Sequence, residues 1–346
     1  MIRPTCAAAL VCIAATSAFA DGHLPVFTAD FALELENDFT FSSTDPDAEI
    51  NDTFATLEGA LSLAFSTGTS LNATVLFEPV LDAEDDRFFE DHGLFAQELF
   101  LAQEFEGGNV IFGKFNPAFG SAWDLAPGIF GVDFAEDYEL TERLGAAITL
   151  GFDAFEGEHE FSLAAFSADT TFLSSSAVED RGRLRGQDGG VSNTQSPASF
   201  AVSLAGAFGD TGYNAGVQFQ SVAPGEGFNQ YGFVGGVTHV IPFSDDNGVE
   251  LLAEAAFFPD FDGAEEAAFI GTLGAAAPIG PVTLSGVYAL RDIEDADTDH
   301  LATTTAEMEL FDGFTGAVAY RFGREEGESN HTLGVLFVYE FGVSTE

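Results

Sequence analysis

The residues best suited to select ions lie in one segment, residues 113–143, which reads GKFNPAFGSAWDLAPGIFGVDFAEDYELTER. It contains the only Lys of the chain, Lys114, and the only Trp, Trp123. Six acids accompany them: Asp124, Asp133, Glu136, Asp137, Glu139 and Glu142. A connection this long is usually functional or disordered, and its five further aromatic residues argue against disorder. We expect it to fold into the lumen of a barrel and to set the size and charge of a pore.

A second set of charges would face the same lumen if the rest of the chain alternates as strands do. It comprises the basic residues Lys114, Arg143, Arg291 and Arg321 and the acids Glu34, Glu36, Glu58, Glu78, Glu250, Glu254, Glu307 and Glu309. Charges that face each other across a narrow gap bias which ions enter. Because acids outnumber basic residues about two to one, we expect a preference for cations and small neutral solutes. The alternative is that these charges pair and only keep the lumen wet.

The narrowest part of the pore is predicted to combine residues of the 113–143 segment with inward-facing charged residues of the strands. Its expected residues are Lys114, Trp123, Asp124, Asp133, Glu136, Asp137, Arg143, Arg291 and Arg321.

Strands are indicated by a two-residue rhythm that recurs along the chain. Between residues 56 and 65 the odd positions carry Leu57, Leu61, Leu63 and Phe65, with Glu58 among the residues between them. Such alternation predicts strands with one apolar and one polar face. Sixteen segments are predicted: 26–41, 54–66, 69–79, 93–106, 109–115, 142–152, 158–168, 198–209, 212–223, 229–243, 247–259, 264–277, 281–291, 301–311, 313–323 and 330–342.

The connections differ in length according to the parity of the strand before them. Tight turns rich in Gly, Asp and Asn follow the even-numbered segments, whereas mostly longer, acidic loops follow the odd ones. Even segments also tend to finish on an aromatic residue: Phe65, Phe105, Phe152, Phe208, Phe243, Phe311 and Phe341. A transmembrane barrel has short turns on one side, long loops on the other and aromatic girdles at both interfaces. We therefore predict an all-β, antiparallel transmembrane barrel of about 16 strands, with 14 to 18 possible.

Composition limits the other possibilities. Residues 1–20 have the plan of a secretory signal peptide, which leaves residues 21–346 as one barrel domain without cysteine. The chain has 57 acids and 10 Lys plus Arg, a formal net charge of −47. So acidic a chain lacks the basic surface that nucleic acid requires. No 18-residue apolar run follows the signal peptide, so membrane insertion as a helix is not expected.

In length, strand count, turn parity and lack of cysteine, the predicted mature chain resembles the sixteen-stranded porins of Gram-negative outer membranes. Residues 113–143 follow the fifth strand, the position of the loop that bends inward in those porins, and Pro127-Gly128-Ile129-Phe130-Gly131 is loosely similar to its Pro-Glu-Phe-Gly-Gly motif. The resemblance implies passive diffusion of small hydrophilic solutes, an outer-membrane location, contact with lipid and lipopolysaccharide, and a homotrimer. Such barrels usually end on an aromatic residue, whereas five residues follow Phe341 here.

Particular residues bear on other possible functions. Asp295, Asp297 and Asp299 alternate as in a calcium loop, but His300 stands where Gly is needed, so no metal or cofactor is expected. Arg181, Arg183 and Arg185 are expected to contact lipopolysaccharide phosphates, to fold over the acidic mouth, or to be an exposed loop tip. A lipid-cleaving barrel enzyme would draw on Glu36, Asn37, Asp38, His92 and Glu98, but the supporting motifs are missing and no catalytic residue is assigned. A plugged structural or adhesin barrel remains open.

Overall fold

The computed structural model describes residues 24–223, 227–244 and 247–345. The signal peptide predicted at residues 1–20 lies outside the described residues.

Sixteen long strands form the barrel, and all predicted segments match them within four residues at either end. They are β1 (Val26–Ser43), β2 (Asn51–Ser66), β3 (Thr69–Pro79), β4 (His92–Phe105), β5 (Gly108–Phe115), β6 (Arg143–Ala154), β7 (Gly157–Ala168), β8 (Ser199–Phe208), β9 (Thr211–Gln220), β10 (Gln230–Pro242), β11 (Gly248–Phe258), β12 (Ala268–Ile279), β13 (Val282–Ile293), β14 (Asp299–Phe311), β15 (Phe314–Glu325) and β16 (Glu328–Ser344).

The remaining elements are short and lie in the loops. They are the two-residue strands Arg87–Phe88 and Ala177–Val178, one α-helical turn at Ala122–Leu125, and 3-10 turns at Pro46–Ala48, Glu136–Tyr138, Phe172–Ser174 and Phe261–Gly263. Within the described ranges, none of these helical segments has the length and apolarity needed to span a bilayer.

The sheet closes on itself between the first and the last strand. β1 pairs antiparallel with β2 on one side and with β16 on the other, with Ala29 opposite Val343 and Leu35 opposite Phe337. Each long strand is antiparallel to both of its neighbours. Closure satisfies backbone groups that an open sheet would leave unpaired at its edges, which lipid cannot tolerate. The predicted antiparallel barrel is confirmed.

Tight turns follow the even-numbered strands, as expected. Gly68, Gly107 and Gly313 take positive φ angles of 81°, 83° and 73° in these turns, a conformation that glycine adopts without steric cost. One connection on the other side differs from the pattern, because β15 and β16 are joined by only Glu326 and Gly327. Both strands extend further than the apolar rhythm indicated, so their ends are polar and lie beyond the apolar band.

The two faces of the wall differ in the way that a membrane requires. Along β11, Leu251 and Phe257 at odd positions are exposed, whereas Leu252, Glu254 and Phe258 at even positions are buried. The seven aromatic residues predicted at the ends of even strands are all exposed at the turn side, and Phe311 stacks on Phe314 with ring centroids 4.6 Å apart. An apolar exterior with aromatic ends is what lipid contact favours.

Candidate functional site

The segment between β5 and β6, residues 116–142, lies against the inner face of the wall. Its first anchor is Glu254 of β11, whose carboxylate accepts hydrogen bonds from the backbone N–H groups of Ser121 (2.9 Å) and Ala122 (2.8 Å). Tyr138 Oη donates to the same carboxylate at 2.6 Å, and so does Asn214 Nδ2 of β9 at 2.6 Å. Burial and the Glu254 charge raise the pKa of the Tyr138 hydroxyl, so this group stays a donor.

A second group of anchors holds the middle of the segment to β13, β14 and β15. Arg321 Nε donates to Asp133 at 2.8 Å, and Arg291 Nη1 donates to Asp137 at 2.7 Å. The Arg291 guanidinium also lies 4.8 Å from the centroid of the Phe134 ring. These pairs are only partly exposed, so they are screened less than surface ion pairs. They fix acidic residues of the segment to basic residues of the wall.

An apolar surface on the segment completes the attachment. Phe119, Phe134 and Leu140 are almost completely buried. They belong to one cluster with wall residues that include Phe258, Ile270 and Leu301. Burying a side chain of this size stabilises by roughly 1.5–3 kcal/mol. Gly128 allows the closest approach, because a Cβ at its φ of 92° would collide with Thr305. Phe258, Ile270, Leu301 and Thr305 all lie on the inner face of the wall, on the other side of the sheet from its exposed apolar residues.

Two acids of the segment remain without a basic partner among the described residues. Burial is the main cause that raises the pKa of Glu136 to about 7, and the charges of Asp133 and Asp137 contribute. Burial also raises the pKa of Glu139 to about 7, together with the charges of Glu136 and Asp124. The Glu136 side chain is exposed to solvent and is nevertheless partly desolvated by nearby protein, as expected of a group in a lumen.

Further carboxylates face these acids from the wall formed by β1 to β4. Glu136 interacts electrostatically with Glu78 of β3, and Glu139 does so with Glu98 of β4. Asp133 interacts with Glu36 and Asp38 of β1, and burial raises the pKa of Asp133 to about 6 despite the nearby Arg321. Glu34 and Glu58 continue the same acidic face. Negative groups thus lie on both sides of the space between the segment and β1 to β4.

Lys114 lies elsewhere than expected. Its side chain is fully buried, with Nζ 2.7 Å from Glu142 Oε2, 3.2 Å from Asp169 Oδ2 and 2.9 Å from the carbonyl oxygen of Leu173. It therefore joins the end of the 116–142 segment to the loop after β7 and does not face an open lumen.

Arg181 completes this buried ion cluster. Its guanidinium makes a bidentate contact with Glu142 at 2.7 and 2.6 Å and lies 3.7 Å from the centroid of the Phe95 ring. Arg183 donates to the carbonyl oxygen of Thr170, and Arg185 is exposed. The three arginines that the sequence groups together are thus separated in their roles, and Arg181 points into the protein.

Trp123, Asp124 and Arg143 complete the predicted set. Trp123 Nε1 donates to the carbonyl oxygen of Phe119 at 3.1 Å, and its ring packs beside the apolar cluster. Asp124 lies in the same helical turn, close enough to act on Glu139. Arg143 begins β6, with its guanidinium 6.0 Å from the centroid of the Phe166 ring. Asp133, Glu136, Asp137, Arg291 and Arg321 therefore come together. Lys114 lies in the buried ion cluster instead, and Arg143 borders a cavity that Asp137 also lines.

Asn214 and Thr305 were not predicted from the sequence, although both bind the segment. The feature of the sequence that could have indicated them is that both are polar residues on the inner face of otherwise apolar strands. Glu254, flanked by Ala253 and Ala255, carried the same signal.

The residues of the alternative functions are occupied otherwise. His92 Nε2 lies 3.0 Å from the carbonyl oxygen of Ala55, and Asn37 bonds to Asn51 and Thr53 on the face opposite Glu36. Asp299 accepts hydrogen bonds from Arg291 at 2.8 and 3.0 Å. Over the described part of the chain, no group of three His, Cys, Asp or Glu side chains could hold a metal ion.

Comparison with solved structures identifies the architecture. OmpF of Salmonella typhi, solved with daunomycin, superposes with a TM-score of 0.62 at 12% identity, covering 91% of this chain and 97% of that one. The outer membrane channel DcaP of Acinetobacter baumannii gives 0.61 at 11% identity, with 91% and 97% covered. An anion-selective porin from Comamonas acidovorans gives 0.55 at 13% identity, with 91% and 99% covered.

The fold is that of a porin. Neither a protein-family model nor a curated protein sequence matches this chain. At such low identity the likeness concerns the fold alone. The porin fold and the apolar exterior both point to the outer membrane of Gram-negative bacteria as its location.

Proposed function

We propose that this chain is an outer-membrane channel through which small hydrophilic solutes and cations diffuse, and that residues 116–142 constrict it. The observation that carries the proposal is the pair of acidic faces: Glu136 and Glu139 on the segment, opposite Glu78 and Glu98 on the wall. The open path would run between the segment and β1 to β4, because the bonds that residues 121–138 make to the wall lie on β9 to β15. The start of the segment is held on the other side, where the Asn116 backbone N–H donates to Glu98 of β4 at 3.1 Å.

The preference for cations follows from how the charges are paired. The basic residues near the segment, Arg291 and Arg321, are each bound by at least two carboxylates. Their positive charge is thereby compensated, whereas Glu136 and Glu139 face only further acids across the path. A weakly screened gap with one sign of charge on both walls raises the local concentration of the opposite ion. The fold alone does not decide this sign, since a neighbour of the same architecture is described as anion-selective.

The partners proposed for the channel are outer-membrane lipids with lipopolysaccharide outside and small solutes or cations inside. A homotrimer is a prediction drawn from the resemblance. The absence of catalytic activity is a prediction drawn from the missing catalytic motifs. A plugged barrel would leave planar bilayers without conductance steps, so single-channel recording separates it from a channel.

Reversal potentials across planar bilayers test the proposal. In a KCl gradient we expect the native chain to favour K⁺ over Cl⁻, and the double variant E136Q/E139Q to lose much of that preference. The matched control is E106Q/E156Q, which removes two exposed carboxylates from the short turns. Anion preference in the native chain, or an equal loss in the control, would contradict the proposal.

A further inference from the structure

A cavity of about 300 Å³ adjoins the end of the 116–142 segment, on the side of the wall where the long loops lie. Its polar lining includes Glu139, Arg143, Gln218, Gln230 and Asp262. The ion pairs and hydrogen bonds that attach the segment to the wall leave several of these polar atoms unused. The cavity therefore shares Glu139 with the acidic path but has further polar groups of its own.

One end of the cavity offers hydrogen-bond donors. Ser192 Oγ donates to Gln220 Oε1 at 2.7 Å, and Gln220 Nε2 donates to Gln218 Oε1 at 2.9 Å. These bonds fix the Gln218 amide with its Oε1 atom already accepting a hydrogen bond. Its Nε2 group is therefore the part of the amide that is left to donate. Gln218 is completely buried, and neither its Nε2 nor Nε of Arg143 finds a hydrogen-bond partner within the described residues.

Buried polar atoms without partners are costly and rare in folded proteins. Two unpartnered donors that border one cavity, one of them cationic, are suited to receive a carboxylate. Arg in particular binds carboxylates through charge-assisted hydrogen bonds.

The other charges of the cavity are negative. The carboxylates of Glu139 and Asp262 both line it, and the described residues donate no hydrogen bond to either carboxylate. Asp262 is held in place by its backbone N–H, which donates to Gln230 Oε1 at 2.7 Å. Asp262 also acts electrostatically on Arg143, so positive and negative groups share the cavity. Two such carboxylates are suited to receive an ammonium group.

We propose that this cavity binds a compact zwitterion of the amino-acid type, with its carboxylate at Gln218 and Arg143 and its ammonium at Glu139 and Asp262. A plain anion would meet more negative than positive charge there. A plain cation would leave the Gln218 donor unpartnered. The proposal rests on the channel function in one respect only, which is that the solute reaches the cavity from the lumen.

Calorimetric titration of the full chain in detergent micelles tests the ligand class with three probes of similar size. L-alanine carries both charges, L-lactate has a hydroxyl in place of the ammonium, and 2-amino-1-propanol has a hydroxymethyl in place of the carboxylate. We expect saturable binding of L-alanine and at least about tenfold weaker binding of the other two, since each loses one set of charged hydrogen bonds. Equal binding of L-lactate, or no binding of L-alanine, would overturn the inference.

A pair of variants tests the position of the site. Q218E replaces the donor with a carboxylate of nearly the same shape and should weaken L-alanine binding at least about tenfold. Q103E adds the same charge at an exposed glutamine beside a short turn and should leave binding unchanged. Unchanged binding in Q218E would contradict the site, and the three-probe comparison on the native chain decides the ligand class even where Q218E does not fold.

Conductance in KCl, measured on the same preparations, keeps the two proposals apart. Cation-selective steps without L-alanine binding would remove the zwitterion site and leave the channel. Binding of L-alanine by a chain that forms no conductance steps would remove the channel and leave the cavity as a binding site.

Discussion

At the scale of single residues, the cation preference that we propose would depend on Glu136 and Glu139, because burial raises the pKa of each to about 7. An acid whose pKa is raised is neutral below that value and charged above it. We therefore expect the ratio of K⁺ to Cl⁻ permeability to rise between pH 5.5 and pH 8.5, with its midpoint near pH 7. Reversal potentials measured at a series of pH values check this.

The same profile in E136Q/E139Q should be flatter, because amides do not titrate. The E106Q/E156Q control should keep the native profile. A native ratio that is constant over this range, or that falls with rising pH, would contradict the role given to these two acids.

Residue positions were only partly predictable from the sequence. Alternation correctly assigned Arg291, Arg321 and Glu254 to the inner face, because a strand turns every second residue to one side. It also assigned Lys114 inward, yet it could not indicate that Glu142, Asp169 and Leu173 would enclose it. Leu173 is 59 residues further along the chain, and contacts at such separation leave no local pattern.

At the scale of elements, the 116–142 segment is held in place by side chains of the barrel wall, Glu254 of β11 above all. Glu254 accepts hydrogen bonds from Ser121, Ala122, Tyr138 and Asn214, and charge-assisted bonds of this kind contribute about 1.5–3 kcal/mol each. We expect E254A to loosen the segment at Ser121, Ala122 and Tyr138, which would give larger and noisier single-channel currents. Recording in symmetric KCl measures both properties.

The matched control for this prediction is E250A, in the same strand. Glu250 is exposed, and the described residues form no hydrogen bond with its carboxylate. Each variant removes one carboxylate from β11, but only E254A removes an anchor of the segment. Currents of E254A that are as quiet as those of E250A would mean that the apolar cluster alone holds the segment.

Strand positions were predictable, whereas the path of the segment was not. Each strand repeats one short-range pattern that lipid on one side and water on the other impose. The segment has no period, and its course is set by Phe119, Phe134 and Leu140, which bury against wall residues far along the chain. Its length and aromatic content predicted order, but only the structure gives its contacts.

At the scale of the whole molecule, the barrel depends on the seam between β1 and β16. The residues after Phe341 are part of that seam, since Gly342, Val343 and Ser344 lie opposite Asp30, Ala29 and Thr28. Ending the chain after Phe341 should lower the temperature at which the barrel unfolds in detergent, while channels that do assemble keep the native conductance. Thermal unfolding followed by circular dichroism, with recordings on the same samples, checks this.

The native conductance is expected because the seam from Phe31 to Thr40 stays paired after the truncation. An unfolding temperature equal to that of the native chain would mean that the last residues do not stabilise the seam. The barrel architecture and its strand number were predictable from the sequence, because the sixteen alternating segments recur over the entire chain.

The most direct test of the constriction uses the cysteine content of the chain, whose only cysteines, Cys6 and Cys12, precede the described residues. E136C would be recorded in planar bilayers before and after a cationic methanethiosulfonate reagent is added, with E156C at a short turn as the control. We predict that the reagent lowers both the conductance and the cation preference of E136C and leaves E156C unchanged. If the currents of E136C do not respond, although mass spectrometry shows that the thiol is modified, the segment does not border the path of the ions.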